Sequence, residues 1–142
     1  MTEVAFFDTN VLLYLFDLRN EAKRAAAQEI FKHYFSDMRG VMSTQVLQEF
    51  YVNVTRKEIG LHPVQARQIL TKYLGLRVIT VQPAHILNAI EIQLRLGTSF
   101  WDALIVAAAK EAGAAILLSE DFVHGRLYDG IRVVNPFRAR AV

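Results

Sequence analysis

The run "FFDTNVLLYLF" at residues 6–16 is apolar except where Asp8 interrupts it. Three further acids stand where chemistry is possible. Asp121 follows the apolar "AAILL" at 114–118, within "SED" at 119–121. Asp102 lies in "SFWD" at 99–102, and Glu49 in "QEF" at 48–50. In open parallel α/β sheets, ligands bind outside the carboxyl ends of the strands. Asp8, and Ser119, Glu120 and Asp121 as a group, sit at such ends if the apolar runs before them are strands. Each acid also has a purely structural reading. An Asp after a strand caps the next helix. Ser99 and Asp102 have the spacing of a capping box, in which the acid also favours the helix dipole. Glu49 falls off the apolar wheel face of Val46, Leu47, Phe50, Tyr51 and Val54, so periodicity makes it a solvated surface acid. On pattern alone, both readings of Asp8 stand, and structure is the better reading of Asp102.

Other chemistries find no support. The four histidines, His33, His62, His85 and His124, lack zinc-ligand spacing and read as structural or surface residues. There is no Ser-His-Asp order, phosphate-cradling glycine loop or Walker pattern. An aspartyl phosphotransferase with Asp8 as nucleophile would place a second Asp two residues on, and that position is Asn10.

The elements that must carry these residues alternate. Residues 3–7 read as a buried strand, and Asn10–Phe16 as the start of a helix. Glu21–Phe35 is amphipathic, with Ala25, Ile30, Phe31, Tyr34 and Phe35 as candidate core positions. Gly40 breaks it before a short strand at 41–43. Ser43 or Thr44 caps a helix to about Lys57. "GLHP" at 60–63 is a break, and Pro63 opens a helix to about Leu74. "LRVITV" at 76–81 is β-branched and strand-like. Pro83 starts a helix to Leu96 that Gly97 stops, and Ser99 starts one to Glu111 that Gly113 ends. Residues 114–118 form a strand, then a loop passes Gly125 and Gly130 to a last strand at 131–134. Short apolar strands alternating with helices predict an α/β fold around a mainly parallel sheet. No repeat, linker or low-complexity segment divides residues 1–142, which read as one domain.

Four stretches, "FFDTNVLL", "QEF", "SFWDALIVAAA" at 99–109 and "LLSEDF" at 117–122, together resemble PIN-domain ribonucleases, especially the VapC toxins of bacterial toxin–antitoxin pairs. "HGRLYDGIRVVNPF" at 124–137 is similar to that group as well. The resemblance runs from about residue 4 to 137. It implies a PIN-like three-layer α/β/α fold. It also implies catalytic, metal-binding acids at Asp8, Glu49, Asp102 and Asp121, supported by Thr9 or Asn10 and by Ser119, with Glu120 an additional acid of open role. Such carboxylates repel one another by roughly 4 kcal/mol per pair at 4 Å and ε near 20. The crowd persists only with a cation or with protons. All-oxygen ligands select hard ions, so Mg²⁺ is implied, with Mn²⁺ as a substitute. The implied reaction is RNA cleavage by a metal-activated water, leaving 5′-phosphate and 3′-hydroxyl ends. The implied partners are an RNA substrate and a cognate antitoxin. The alternative is a catalytically silent PIN-like domain that binds RNA or protein.

Composition is compatible with this reading. Apolar residues make up 53% of the 142 and charged ones 21%, as in globular chains rather than disordered ones. The apolar share is high for this size, which predicts burial between two copies or under a partner; together with the resemblance it implies a homodimer. Cysteine is absent, which excludes disulfides and thiolate metal sites. No apolar run reaches membrane-spanning length and no basic signal-peptide start is present, so the expected location is cytoplasmic, with no membrane partner. A net charge of +2 permits a polyanion partner without demanding one. The basic "PFRARAV" reads as a solvated tail.

Overall fold

A computed structural model describes residues 3–138; the tail beyond Arg138, with its one basic residue Arg140, lies outside them. The elements run β1 (Ala5–Phe7), α1 (Thr9–Tyr14), α2 (Glu21–Phe35), β2 (Gly40–Ser43), α3 (Thr44–Val54), α4 (Pro63–Tyr73), β3 (Val78–Ile79), α5 (Pro83–Leu96), α6 (Phe100–Glu111), β4 (Ile116–Leu118), β5 (Leu127–Tyr128) and β6 (Ile131–Val134). The strands form one sheet in the order β3-β2-β1-β4-β6-β5. All neighbours are parallel except β5 and β6.

This order fixes where a ligand can go. From β1 the chain steps to β2 and then β3 in one direction. It then reverses, crossing back to place β4 on the other side of β1. Right-handed crossovers put α1–α4 on one face of the sheet and α5–α6 on the other, giving three α/β/α layers. The reversal opens a crevice at the carboxyl ends of β1 and β4. Ala5, Phe6 and Phe7 are fully buried, as a central strand covered on both faces requires.

Local sequence sets the helix starts. The Ser43 hydroxyl accepts from the Val46 N–H at 3.3 Å and the Ser99 hydroxyl from the Asp102 N–H at 3.1 Å. Pro63 and Pro83 open α4 and α5. Gly97 closes α5 at φ 71°, a left-handed conformation that suits glycine. The other half of the expected capping box, a carboxylate bond from Asp102 back to the Ser99 N–H, does not form.

Several expectations need correction. Ala25 is exposed, and Ala27 takes its place in the core beside Tyr34. The helix expected to reach Lys57 ends at Val54, whose carbonyl instead accepts from the Leu61 N–H at 3.0 Å as the chain turns back. Only Val78–Ile79 of the 76–81 run pairs, as the far edge of the sheet. Strand β5 was not foreseen. It is two residues long, and its partner β6 folds back on it through Asp129 and Gly130, both at positive φ.

Candidate active site

Asp8 ends β1 and caps α1, its Oδ1 accepting from the Thr9 N–H at 2.8 Å. Structural and functional placements therefore coincide in one carboxylate. Its Oδ2 accepts from the Ser119 hydroxyl at 2.7 Å, which ties the end of β1 to the end of β4. Ser119, fully buried, also accepts from the Asp121 N–H at 3.1 Å. Asn10 completes the tie. Its Nδ2 donates to Ser119 at 3.2 Å and to Asp121 Oδ2 at 3.1 Å, and its Oδ1 accepts from the Glu120 N–H at 3.2 Å. That last bond fixes which way the Asn10 amide points.

Glu49 arrives from α3 and is not the solvated acid that its wheel position suggested. It is half-buried, and its Oε1 accepts from the Thr9 hydroxyl at 2.6 Å. Helix α3 has two covered faces. One is apolar, through Val46, Leu47, Phe50 and Val54. The other is polar, through Gln45, Glu49 and Asn53 at i, i+4 and i+8. Gln45 Nε2 reaches Glu49 Oε2 at 3.4 Å and the Trp101 carbonyl at 3.2 Å, so this face docks on the start of α6. There α6 presents Asp102, half-buried in its first turn.

One cavity of about 310 Å³ is lined by Asp8, Glu49, Asp102 and Asp121 together. A larger cavity of about 520 Å³ lies between α2 and residues 136–138, far from this chemistry. Glu120 does not line the acid cavity. Its carboxylate accepts from the Tyr14 hydroxyl at 2.7 Å and from Lys23 Nζ at 2.8 Å. Lys23 is accordingly engaged rather than part of a solvated helix face, as is Arg19, bidentate to Asp17.

Electrostatics follow from this crowding. Burial raises the pKa of Asp8 to about 7, against the lowering bonds from Ser119 and Thr9, and the charges of Asp121 and Glu49 raise it further. Asp102 is raised too, by burial first and then by Asp121, with the Ser99 side chain opposing and Glu49 adding to the rise. The donor set is all oxygen, the chemistry of a hard divalent cation. Among the described residues, no three Asp, Glu or His side chains converge on one point. Asp8, Glu49 and Asp121 are turned onto Thr9, Ser119 and Asn10. Gln45 Oε1, buried beside Glu49 without a hydrogen-bond partner, is one more oxygen at the same wall.

The histidines serve structure. His62 Nδ1 accepts from the Val64 N–H, His85 Nδ1 from the Gln82 N–H and His124 Nδ1 from the Asn135 N–H, and His33 meets Arg39.

The sequence profile of the PIN domain matches residues 5–129. The chain belongs to the PIN-domain family. No curated protein matches it by sequence. Solved PIN folds resemble it closely in shape despite low identity. A toxin–antitoxin complex from Klebsiella pneumoniae aligns at TM-score 0.69 with 20% identity, over 93% of this chain and 97% of that one. A DNA-bound VapBC from Salmonella typhimurium gives 0.65 and 18%, over 92% and 96%. VapC20 of Mycobacterium tuberculosis, described as a toxin cleaving the sarcin-ricin loop, gives 0.61 and 22%, over 80% and 86%. At these identities the likeness is one of fold.

Proposed function

We propose that this PIN-domain protein is a VapC-type endoribonuclease toxin, dependent on Mg²⁺ with Mn²⁺ as a substitute, and inhibited by a cognate antitoxin. The reading takes residues 1–142 as one PIN domain, acting in the cytoplasm as a homodimer. The observation that carries it is the single cavity shared by Asp8, Glu49, Asp102 and Asp121, drawn from four separate segments. The similar folds described as toxins or toxin–antitoxin complexes support the biological setting. No helix among the described residues is long and apolar enough to cross a membrane.

In this reading Asp8, Glu49, Asp102 and Asp121 hold the metal. When bound, it lowers the pKa of a water and stabilises charge on the phosphate and the leaving oxygen. The chain's own residues set the stage. Ser119 and the Thr9 N–H orient Asp8 from both sides. The Thr9 hydroxyl orients Glu49, and Asn10 orients Asp121. Near neutral pH, Asp8 sits at its own titration point in the metal-free protein, so loading an ion displaces a proton.

The test is cleavage of RNA in Mg²⁺ by the wild type and by Asp8→Asn, Glu49→Gln, Asp102→Asn and Asp121→Asn. Each variant should lose most of the rate. Double variants should lose little more, because the acids act as one site. Since Lys23 holds Glu120, Glu120 should not replace Asp121. Near-wild-type cleavage by Asp8→Asn would sink the metal mechanism. A second reading, a catalytically silent PIN-like domain that binds RNA or protein, draws on the lack of three converging acids. Absence of cleavage by wild type, with RNA binding intact, would favour it. Co-purification with the product of an adjacent gene, and loss of cleavage in that complex, tests inhibition by an antitoxin.

A further inference from the structure

Trp101 is the only tryptophan in the chain, and it is 62% exposed. A tryptophan ring open to solvent at the wall of a cavity is available to a ligand as a flat apolar face. It lies on the wall of the acid cavity, one residue before Asp102. Its setting is rigid. Its backbone stands in the first turn of α6, its carbonyl accepts from the buried Gln45 at 3.2 Å, and its ring meets Phe100 edge to face at 5.2 Å.

The same cavity is lined by four acids and by no Lys or Arg. Its other polar lining, Thr9, Asn10, Gln45 and Asn53, is neutral, so without an ion the charge there repels a nucleic-acid backbone. The adjoining cavity, which shares Asn10, Asn53 and Asp121 with this one, has Arg19 and Arg56, and Asp17 already engages Arg19. Besides an ion held by the acids, binding free energy at this cavity can come from the base end of a nucleotide. Aromatic side chains supply it by stacking, which every base accepts through its π-face. Sequence-specific and strand-specific RNA recognition works this way, on unpaired bases splayed onto aromatic rings.

We propose that Trp101 is the stacking platform for an unpaired nucleobase of single-stranded RNA, placed beside the acids so that the base it holds sets which phosphodiester bond reaches them. The proposal rests on the ribonuclease reading above. Helix α3 gives the strand its layout. Gln45 holds the Trp101 end, Glu49 stands one turn on, about 6 Å along the axis, and Arg56 lies just beyond the end of α3 at Val54. The acids thus lie beside a base-stacking site, and the adjoining cavity adds the Arg56 guanidinium.

The experiment uses the fluorescence of this one indole. Asp8→Asn protein, slow to cleave, is titrated in Mg²⁺ with a short mixed-sequence single-stranded RNA and with the corresponding duplex, and binding is read in parallel by anisotropy of a labelled strand. The single strand should quench Trp101 saturably and the duplex should not. Trp101→Leu should weaken binding about tenfold, as loss of one base–aromatic stack does. Trp101→Phe should recover part of that loss. In the Asp8 background, neither change should alter the melting temperature, because the ring is exposed. With Asp8 intact, both changes should raise KM more than they lower kcat. Tight RNA binding by Trp101→Leu with no quenching in the parent would overturn the platform and leave the ribonuclease reading standing. Emission that follows protein concentration rather than RNA would assign the ring to an interface between copies instead. No RNA binding by Asp8→Asn and no cleavage by wild type would overturn both.

Discussion

At Asp8 one carboxylate caps a helix, bridges two strand ends and faces three other acids. Capping and clustering do not compete, because the crevice at the sheet's reversal is also where α1 begins. Burial raises its pKa from 3.8 to about 7. In EDTA the folded state therefore binds a proton that the unfolded chain releases near pH 4. Its stabilising contribution is full below about pH 4 and is lost as pH rises to about 7. The shift corresponds to a loss of order 4 kcal/mol. Asp8→Asn should abolish most of this slope in metal-free thermal melts. A wild-type slope that persists in the variant would show that Asp8 is not its source. Asp102→Asn should gain less, since Asp102 is only half-buried. In the sequence, Asp8 and Asp121 were legible because they follow apolar runs. Glu49 was not legible by pattern. A helical wheel finds the apolar face of α3 and has no term for a polar face that Thr9 and the start of α6 cover. Only the resemblance to a family placed it in the site.

Helices and strands make the site possible by close approach. Gly40 starts β2 where the Phe35 ring lies across the backbone, and a Cβ there would fall 2.7 Å from three ring atoms. Phe35 is itself packed on Phe7 of β1, at 4.9 Å between centroids, so the ring has little room to move. Gly40→Ala should cost roughly 1–3 kcal/mol, measurable by urea denaturation. The glycine thus does more than stop α2, the role its position in the sequence suggested. At the other edge, Asp129 in the β5–β6 turn bonds Arg95 of α5 and Lys110 of α6. Arg95 first, then Lys110, hold its pKa down to about 2, although burial opposes them. The sign is opposite to that of Asp8. The contribution is full above about pH 4 and is lost as pH falls to about 2. Asp129→Asn should therefore narrow the gap between melting temperatures at neutral and acid pH. Strand β5 escaped detection because two residues, one of them exposed, carry no periodicity, while the bonds that hold them come from α5 and α6.

For the molecule as a whole, stability and site are coupled. An ion that binds only the folded state raises the melting temperature with its concentration. Mg²⁺ or Mn²⁺ should do so for wild type and much less for Asp8→Asn; equal shifts would remove Asp8 from the metal site. Leu87 and Leu94 of α5, 66% and 81% exposed, and Leu74 at 62% are consistent with the proposed covering by a second copy or an antitoxin. Sedimentation across a range of concentrations reads the first of these directly. Layer order and helix boundaries were largely readable, since glycine, proline and serine mark most of them chemically. Strand order was not, because no local residue records which strands lie side by side.

That order has a consequence for how the protein is made. Of these six strands, the first to leave the ribosome is an inner one, between β2 and β4. Ala5 pairs with Gly40 on one side and with Ile116 on the other. During synthesis, β1 waits with one flank uncovered until more than a hundred further residues have been added. Such distant pairing is slow to form and exposes apolar surface while it waits. On the proposed reading, the same delay keeps a growing chain harmless. Its four acids emerge one at a time, at 8, 49, 102 and 121, and the last arrives only after β4, the strand that covers the second flank of β1. If the proposed ribonuclease activity holds, the chain has no competence to cut the messenger that encodes it until that strand is in place.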